Sequence, residues 1–243
     1  MMLKNGLLAA FVLTSSCSSA PEIIGDARAQ AAGGKSGGGG PIVVELFQSQ
    51  GCSSCPPANA NVNALATSRP DVLALSYAVT YWDQLGWKDT FARPAFTERQ
   101  RAYQRSGQSD GVYTPQVVIN GRKALVGADR GTLNRAVAAT GPLRGGPSIT
   151  KDAGGVTVGA GQGSGTVLLV TYDPRERAVP VKAGENNGRT LPHRNIVTDL
   201  RAIGTWSGKP LRVAVTAPKD PALRTAVLVQ QGTGGPILAA AKL

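Results

Sequence analysis

Two cysteines separated by two serines lie at a predicted junction between a strand and a helix. Residues 41–47 (PIVVELF), which precede them, form an almost continuously apolar run of strand length, typical of a strand covered on both faces. After the cysteines, Ala58, Val62 and Leu65 recur at helical spacing. Cys52 therefore lies near the N-terminal end of a helix, where free N–H groups and the helix dipole favour a thiolate, the reactive form of cysteine.

A pair of cysteines at this spacing is compatible with three kinds of site. Zinc requires further cysteine or clustered histidine ligands, and the chain has three cysteines and one histidine, His193. A structural disulfide usually closes a long loop, because that restricts the unfolded chain, and a two-residue loop restricts it little. We predict a redox-active disulfide between Cys52 and Cys55, with no metal and no cofactor. A structural disulfide and a Cu(I) site completed by His193 remain the alternatives.

The first 40 residues have the composition of an export signal followed by a tether. Lys4 precedes an apolar stretch at residues 6–13 that is too short to span a bilayer, and residues 33–40 (GGKSGGGG) are typical of a flexible linker. Cys17 resembles a degenerate bacterial lipoprotein site, and cleavage after a small residue such as Ala29 is the alternative. We predict a periplasmic or secreted protein, with lipidation of Cys17 as a route to membrane anchoring. Export would place the remaining cysteine pair in an oxidising compartment.

The charge and the hydrophobic content of the chain limit the classes of protein that it fits. The 243 residues include 26 Lys and Arg against 15 Asp and Glu, a net charge of +11, and 42% are hydrophobic. That hydrophobic content is enough for a packed core, which argues against a disordered chain. The charges are spread along the chain rather than concentrated in runs, so we predict no nucleic-acid partner. A chain of this length favours two domains over one.

The order of the predicted elements resembles the thioredoxin fold. Residues 71–79 (DVLALSYAV) predict a second buried strand. The Thr-Pro step at residues 114–115 opens another apolar run, and the Asn-Gly pair at residues 120–121 predicts a tight hairpin turn. We therefore predict an α/β thioredoxin-like domain at residues 41–143, with a helical insertion at about residues 83–110.

A finer resemblance is to an exported thioredoxin-like family named domain of unknown function 1223. The segments that carry it are VVELFQSQGCSSCPPA, YWDQLGWKD, FTERQRAY, VYTPQVVINGR and GENNGRTL, so the resemblance extends over nearly the whole mature chain. The family name assigns no substrate. The resemblance therefore implies a fold and a site, and it leaves the biological role open.

The resemblance also implies a role for each residue of the site. Cys52 would be the attacking nucleophile, and Cys55 would be the resolving thiol. Pro115 would be the cis-proline that faces the disulfide, which turns the backbone of Thr114 outward so that a substrate chain pairs with it as an added strand. Glu45 would be the buried acid that relays a proton to the resolving thiol. The alternative for Glu45 is an outward-facing strand residue.

Aromatic residues are concentrated in the predicted insertion and its flanks. Of the twelve in the chain, eight lie between Tyr77 and Tyr113. One hypothesis is that this segment is a lid beside the disulfide and selects substrates through Trp82 and Trp87. The alternative is that these rings simply pack the insertion onto the sheet.

Residues 147–243 predict a separate, small and mostly β domain. About seven short runs that favour strands alternate with Gly, Pro and Asn, which is typical of a sandwich-like domain. The segment at residues 184–189 (GENNGR) is polar and dense enough to be a contact surface. No catalytic group is evident in this half, so we interpret it as a docking or interface module.

Together these features predict an exported thiol–disulfide oxidoreductase that acts on protein thiols or disulfides. The Cys52 thiolate would attack a partner disulfide, and Cys55 would release the mixed disulfide. The alternative is a thioredoxin-fold module without catalytic activity, which docks a partner or binds Cu(I).

Overall fold

The computed structural model describes residues 39–243, so the predictions for residues 1–38, including Cys17, lie outside it. Three helices occur in the described range: α1 (Cys55–Ser68), α2 (Pro94–Arg105) and α3 (Arg130–Thr140). Within that range no helix has the length and apolar character needed to cross a membrane. The strands of the same range are β1 (Gly39–Gly40), β2 (Ile42–Gln48), β3 (Val72–Ala78), β4 (Gln116–Ile119), β5 (Lys123–Leu125), β6 (Leu143–Arg144), β7 (Ile149–Asp152), β8 (Gly155–Val158), β9 (Gly165–Asp173), β10 (Arg177–Pro180), β11 (Thr190–His193), β12 (Ile196–Trp206), β13 (Leu211–Ala214), β14 (Arg224–Gln230) and β15 (Ile237–Lys242).

One mixed sheet of eight strands forms the centre of the fold, in the order β15-β14-β9-β12-β3-β2-β4-β5. Strand β2 pairs in parallel with β3 and antiparallel with β4, whereas β9 pairs antiparallel with both of its neighbours. Within residues 39–243, three smaller antiparallel sheets lie beside the large one. One has three strands in the order β13-β8-β7, and the other two are the pairs β10-β11 and β1-β6. The chain therefore has a mixed α/β fold, and the position of the cysteine pair at the start of α1 fits a thioredoxin-like fold.

Strand β12 connects the two halves of the chain within the large sheet. It pairs in parallel with β3 at Ile196 and Ser76, and antiparallel with β9. The Ser76 backbone N–H donates to the backbone carbonyl of Asn195 (2.9 Å), and the side-chain Nδ2 of Asn195 donates to the backbone carbonyl of Ala74 (2.8 Å). These hydrogen bonds satisfy backbone groups of β3 that would be exposed if it were an edge strand. Strands from both halves of the chain therefore belong to one sheet.

The residues after position 147 also contribute a second β layer. Strands β7, β8 and β13 pack on β9, β14 and β15 around the buried Trp206. The indole N–H of Trp206 donates to the Gly159 carbonyl (2.9 Å). Two β layers meet in this half, and one of them is shared with the first half. The division of the chain into domains at residues 41–143 and 147–243 stays a prediction.

The two faces of the large sheet are covered by different helices near the cysteines. One face carries Val44 and Leu46 of β2 and packs against α1 and α3. The other face carries Val43 and Phe47 and packs against α2, which lies within the predicted insertion. Because side chains alternate along a strand, consecutive residues of β2 face different helices.

Candidate redox site at the start of helix α1

Cys52 and Cys55 are joined by a disulfide, with 5.4 Å between their Cα atoms. Strand β2 ends at Gln48, and α1 begins at Cys55. The Cys55 N–H donates to the Cys52 carbonyl (3.2 Å), which closes a turn ahead of the helix. Proline occupies the first turn of α1, where a missing N–H costs no intrahelical hydrogen bond. The disulfide thus lies at the junction between strand and helix that the sequence predicts.

The segment that contains Thr114 and Pro115 lies beside the cysteine loop, and the peptide bond between them is cis. The Ser54 hydroxyl donates to the Thr114 carbonyl in a long hydrogen bond of 3.5 Å. The indole N–H of Trp82 donates to the Thr114 hydroxyl (2.7 Å). The structure therefore brings Thr114, Pro115 and Trp82 up to the cysteine pair.

The aromatic-rich segment after β3 also binds the side chain and the backbone of Gln50, two residues before Cys52. Trp87 Nε1 donates to Gln50 Oε1 (2.9 Å), and Asp89 accepts a hydrogen bond from the Gln50 N–H (2.6 Å). Trp82 and Trp87 are both partly buried, and both indole N–H groups have partners within the chain. These contacts favour the packing interpretation of the two rings. Selection of substrates by the tryptophans stays a prediction.

Glu45 lies on the face of the sheet opposite to α1. Its buried carboxylate accepts hydrogen bonds from Arg99 Nε (2.7 Å) and Nη2 (3.0 Å), and from the Tyr103 hydroxyl. Arg99 and Tyr103 belong to α2, whereas Leu46, the next residue of β2, packs on the face that carries α1. The structure thus gives Glu45 an ion pair with α2, and its side chain points away from the helix that begins with Cys55.

Asp89 is a buried carboxylate that its sequence context does not single out. It accepts hydrogen bonds from the N–H groups of Gln50 (2.6 Å) and Phe91 (2.8 Å). Burial raises the pKa of Asp89 to about 6, against the effect of these hydrogen bonds. The only signal in the sequence is its place among the aromatic residues of the insertion. In the structure, Asp89 holds the residue two positions before Cys52.

His193 is buried against the beginning of α1. Its Nδ1 lies 3.1 Å from Asn59 Nδ2, and its ring packs edge-on against Phe91, with 5.7 Å between the ring centroids. Burial lowers the pKa of His193 to about 4, so the ring is neutral at physiological pH. These contacts are those of a structural histidine. Among residues 39–243, no three histidine, cysteine or acidic side chains form a group that could hold a metal ion.

The polar segment at residues 184–189 lies against the cysteine loop. It is the tip of the hairpin formed by β10 and β11. Asn186 Nδ2 donates to the carbonyls of Gln50 and Cys52 (2.9 Å each), and Glu185 accepts a hydrogen bond from the backbone of the same loop (3.0 Å). The sequence predicts a contact surface for this segment, and the structure shows contacts with its own chain. A single sequence carries no signal for pairs of residues so far apart.

His193 and Asp89 are expected to give the free energy of unfolding opposite dependences on pH. Because burial lowers the pKa of His193 from 6.5 to about 4, its contribution falls as the pH falls between these values, by about 3 kcal/mol. Burial raises the pKa of Asp89 from 3.8 to about 6. Its contribution to the free energy of unfolding therefore grows as the pH falls between these values, by a similar amount. Relative to the wild type, His193→Gln should become more stable as the pH falls, and Asp89→Asn less stable.

Urea unfolding of the three proteins between about pH 7 and about pH 4 measures both effects. The comparison with the wild type removes the contributions of all other titrating groups. In the wild type the two contributions oppose each other, so each is seen clearly only in a variant. Parallel pH profiles for the wild type and both variants would contradict the prediction.

Comparison with known proteins relates this chain to a family and to solved structures. A family model described as "Protein of unknown function (DUF1223)" matches residues 43–230, and no curated protein was found to match. A crystal structure of protein AGR_C_4864 from Agrobacterium tumefaciens is similar at 36% identity and a TM-score of 0.69, over 83% of this chain and 93% of that chain. HBP35 of Porphyromonas gingivalis shares the fold at 12% identity and a TM-score of 0.51, over 84% of this chain and 75% of that one. The chain belongs to the DUF1223 family, as its sequence motifs predict.

Proposed function

We propose that the protein is an exported thiol–disulfide oxidoreductase that exchanges its Cys52–Cys55 disulfide with protein partners. The observation that carries the proposal is this disulfide, held at the start of α1 and beside the segment of Thr114 and Pro115. A disulfide that closes so short a loop restricts the unfolded chain little and so adds little stability. Disulfide exchange therefore explains the presence of the Cys52–Cys55 bond better than stabilisation of the fold does.

The reaction follows from the exchange chemistry of two neighbouring thiols. In the reduced protein, the Cys52 thiolate attacks one sulfur of a partner disulfide, which forms a mixed disulfide and expels the other partner sulfur as a thiolate that takes up a proton. The Cys55 thiol then loses its proton to solvent and attacks Cys52 Sγ as a thiolate, and the second partner sulfur leaves as a thiolate that takes up a proton. Two electrons pass to the partner, and a partner dithiol drives the same steps in reverse.

The position of Cys52 favours it as the attacking residue. It precedes α1, so the N–H groups and the dipole at that end of the helix stabilise a thiolate. The Ser54 hydroxyl lies 3.3 Å from Cys52 Sγ, within hydrogen-bond reach of sulfur. Cys55 is the first residue of the helix, from which it attacks Cys52 Sγ within the protein; both cysteines are buried, so their order before α1, and not their burial, separates their roles.

Residues around the disulfide are proposed to form the partner site. Thr114 would pair its backbone with an extended partner segment, as an added strand does. Trp82 positions Thr114 through the hydroxyl, and Trp87 positions Gln50 before the nucleophile. Glu45 is assigned no step, since Arg99 and Tyr103 already hold its carboxylate.

Export is part of the proposal and rests on residues 1–40 of the sequence. A signal followed by a glycine-rich tether would deliver the folded part to the periplasm or the medium. Lipidation of Cys17 would keep it at a membrane surface. Such a compartment supplies protein partners with disulfides.

A disulfide-exchange assay, run beside a Cu(I) titration, tests the proposed function. The full-length protein is expected to accelerate the reduction of insulin by dithiothreitol by about tenfold or more over the uncatalysed reaction. Insulin is a suitable probe because its reduced chains precipitate and the turbidity reports the rate. Tight Cu(I) binding without detectable exchange would contradict the proposal and favour a copper-binding module.

A further inference from the structure

The tip of the hairpin of β10 and β11 closes over the cysteine loop; its residues 184–186 are called the cap below. The base of the tip is fixed by hydrogen bonds from the Val181 N–H to the Arg189 carbonyl and from the Gly188 N–H to the Val181 carbonyl (2.9 Å each). Gly184 and Gly188 have φ values of +71° and +80°, which glycine adopts without strain, so the chain turns sharply at both places. Strand β11 is held on α1 through Asn59.

Asn186 fastens the cap to the cysteine loop. Its side chain is completely buried. The amide nitrogen donates to the carbonyls of Gln50 and Cys52 (2.9 Å each), and the amide oxygen accepts a hydrogen bond from Arg189 Nη1 (2.7 Å). Cys52 itself is 0% exposed. A partner sulfur therefore reaches Cys52 Sγ only after the groups that cover Cys52 move away.

Glu185 adds a negative charge to the cap. Its Oε2 accepts a hydrogen bond from the Ser53 N–H (3.0 Å), and this bond lowers the pKa of Glu185, so the carboxylate is charged at neutral pH. The N–H groups at this end of α1 are the ones that would stabilise a Cys52 thiolate. A carboxylate bound to one of them opposes a second negative charge beside it.

Other charged groups near the loop are already engaged. Arg189 is bound to the amide oxygen of Asn186, and Asp89 is bound to the Gln50 N–H on the other side of the loop. The first turn of α1 has no acidic residue. Glu185 is therefore the carboxylate that contacts the backbone between the two cysteines.

We propose that the cap controls access to Cys52 and its reactivity, and that a partner must displace the cap before exchange begins. Asn186 limits access, and Glu185 disfavours the thiolate of Cys52. Both are positioning residues that act through the loop rather than on the reacting sulfur atoms. The inference rests on the proposed function and deepens it: partners that replace the hydrogen bonds of the cap are favoured over small thiols.

The effect of Asn186 on access is tested with the oxidised, full-length protein. Asn186→Ala removes the two hydrogen bonds to the loop and is expected to speed the reduction of the disulfide by dithiothreitol about tenfold. Asn187→Ala is the matched control, because Asn187 is the exposed neighbour in the same tip. The rate of reduction is followed on the Cys52–Cys55 peptide by mass spectrometry. Equal rates for Asn186→Ala and Asn187→Ala would overturn this part of the proposal.

The effect of Glu185 on reactivity is tested with the reduced protein in a Cys55→Ser background. Glu185→Gln keeps an acceptor for the Ser53 N–H but removes the charge. In Glu185→Gln, the alkylation of Cys52 by iodoacetamide should have a lower pH midpoint than in the parent protein. At pH values below that midpoint, it should be about two- to five-fold faster than in the parent. At high pH, where every Cys52 is a thiolate, the alkylation rates of Glu185→Gln and its parent should converge. A purely structural role of Glu185 would not produce this dependence on pH.

Glu176→Gln is the charge control for Glu185→Gln. Glu176 is exposed and pairs with Arg194 at 3.6 Å, so its loss removes one negative charge without contact with the cysteine loop. An unchanged pH midpoint in Glu185→Gln, or the same shift in Glu176→Gln, would overturn the role of Glu185.

Both tests use small reagents and so separate the cap from the proposed function. A protein that exchanges with insulin, but whose cap variants behave like their controls, overturns the cap alone. A protein that is inert towards insulin, but whose cap variants respond as expected, overturns the proposed function and leaves the cap intact.

Discussion

Replacing Cys52 with serine is expected to abolish disulfide exchange, whereas replacing Cys55 with serine should leave the protein covalently joined to its partners. Cys52→Ser removes the attacking thiolate, so the rate of insulin reduction should fall to the uncatalysed rate, a loss of about tenfold or more. Cys55→Ser retains the attack but lacks the thiol that releases the partner. Non-reducing gels of export-compartment extracts should then show adducts that dithiothreitol removes.

The double variant Cys52→Ser/Cys55→Ser is the control, because it also accounts for adducts formed through Cys17. Both single variants lose the same disulfide, so the comparison of one with the other removes its contribution to stability. Absence of adducts from Cys55→Ser would contradict turnover on protein partners. Full insulin activity of Cys52→Ser would assign the chemistry to another group.

Replacing Arg99 with alanine is expected to destabilise the fold by about 3–5 kcal/mol. Arg99 is buried and donates to Glu45 through Nε (2.7 Å) and Nη2 (3.0 Å), and to Gln230 Oε1 through Nη1 (3.0 Å). Without Arg99, the Glu45 carboxylate remains buried between β2 and α2, with the Tyr103 hydroxyl as its remaining partner. Urea unfolding at neutral pH measures the difference in free energy.

Arg105→Ala is the matched control, because Arg105 pairs with Glu98 on the same helix at an exposed position. That change should cost about 0.5 kcal/mol or less. The double variant Glu45→Met/Arg99→Met should be more stable than Arg99→Ala alone, since it leaves no buried charge. A loss below about 1 kcal/mol for Arg99→Ala would contradict this description of the ion pair.

The centre of the site can be predicted because its signals are local. The apolar run of β2, the two cysteines and the helical spacing after them lie in one continuous stretch of sequence. The turn between β4 and β5 is local too: Asn120 and Gly121 have φ values of +50° and +63°, the left-handed backbone that an Asn-Gly pair favours. Neither feature needs information from a distant part of the chain.

The partner of Glu45 cannot be predicted in the same way. A strand covered on both faces is apolar throughout, so it lacks the alternation that would identify which residues face which helix. A shift of one residue reverses the face of every side chain. The resemblance indicates a buried acid, which Glu45 is, but not that its partner would be Arg99, 54 positions later on α2.

The contacts made by the second half of the chain are the least predictable from sequence. Glu185 and Asn186 bind backbone groups 132 to 136 positions earlier, and such distant pairs leave no local pattern. The density of polar residues at 184–189 indicates that the segment makes contacts, without indicating with what. The pairing of β12 with β3 is hard to predict for the same reason. The sequence indicates where strands occur more readily than which strands lie side by side in a sheet.

The reduction potential of the Cys52–Cys55 pair tests the central claim most directly. The full-length protein is equilibrated in glutathione buffers of graded ratio, and the fraction of disulfide is read from the labelled cysteine peptide. A redox-active pair is expected to titrate reversibly between about −120 and −270 mV, the range of known dithiol oxidoreductases. A potential below about −300 mV, or no reversible titration, is that of a structural disulfide and would contradict exchange at this site.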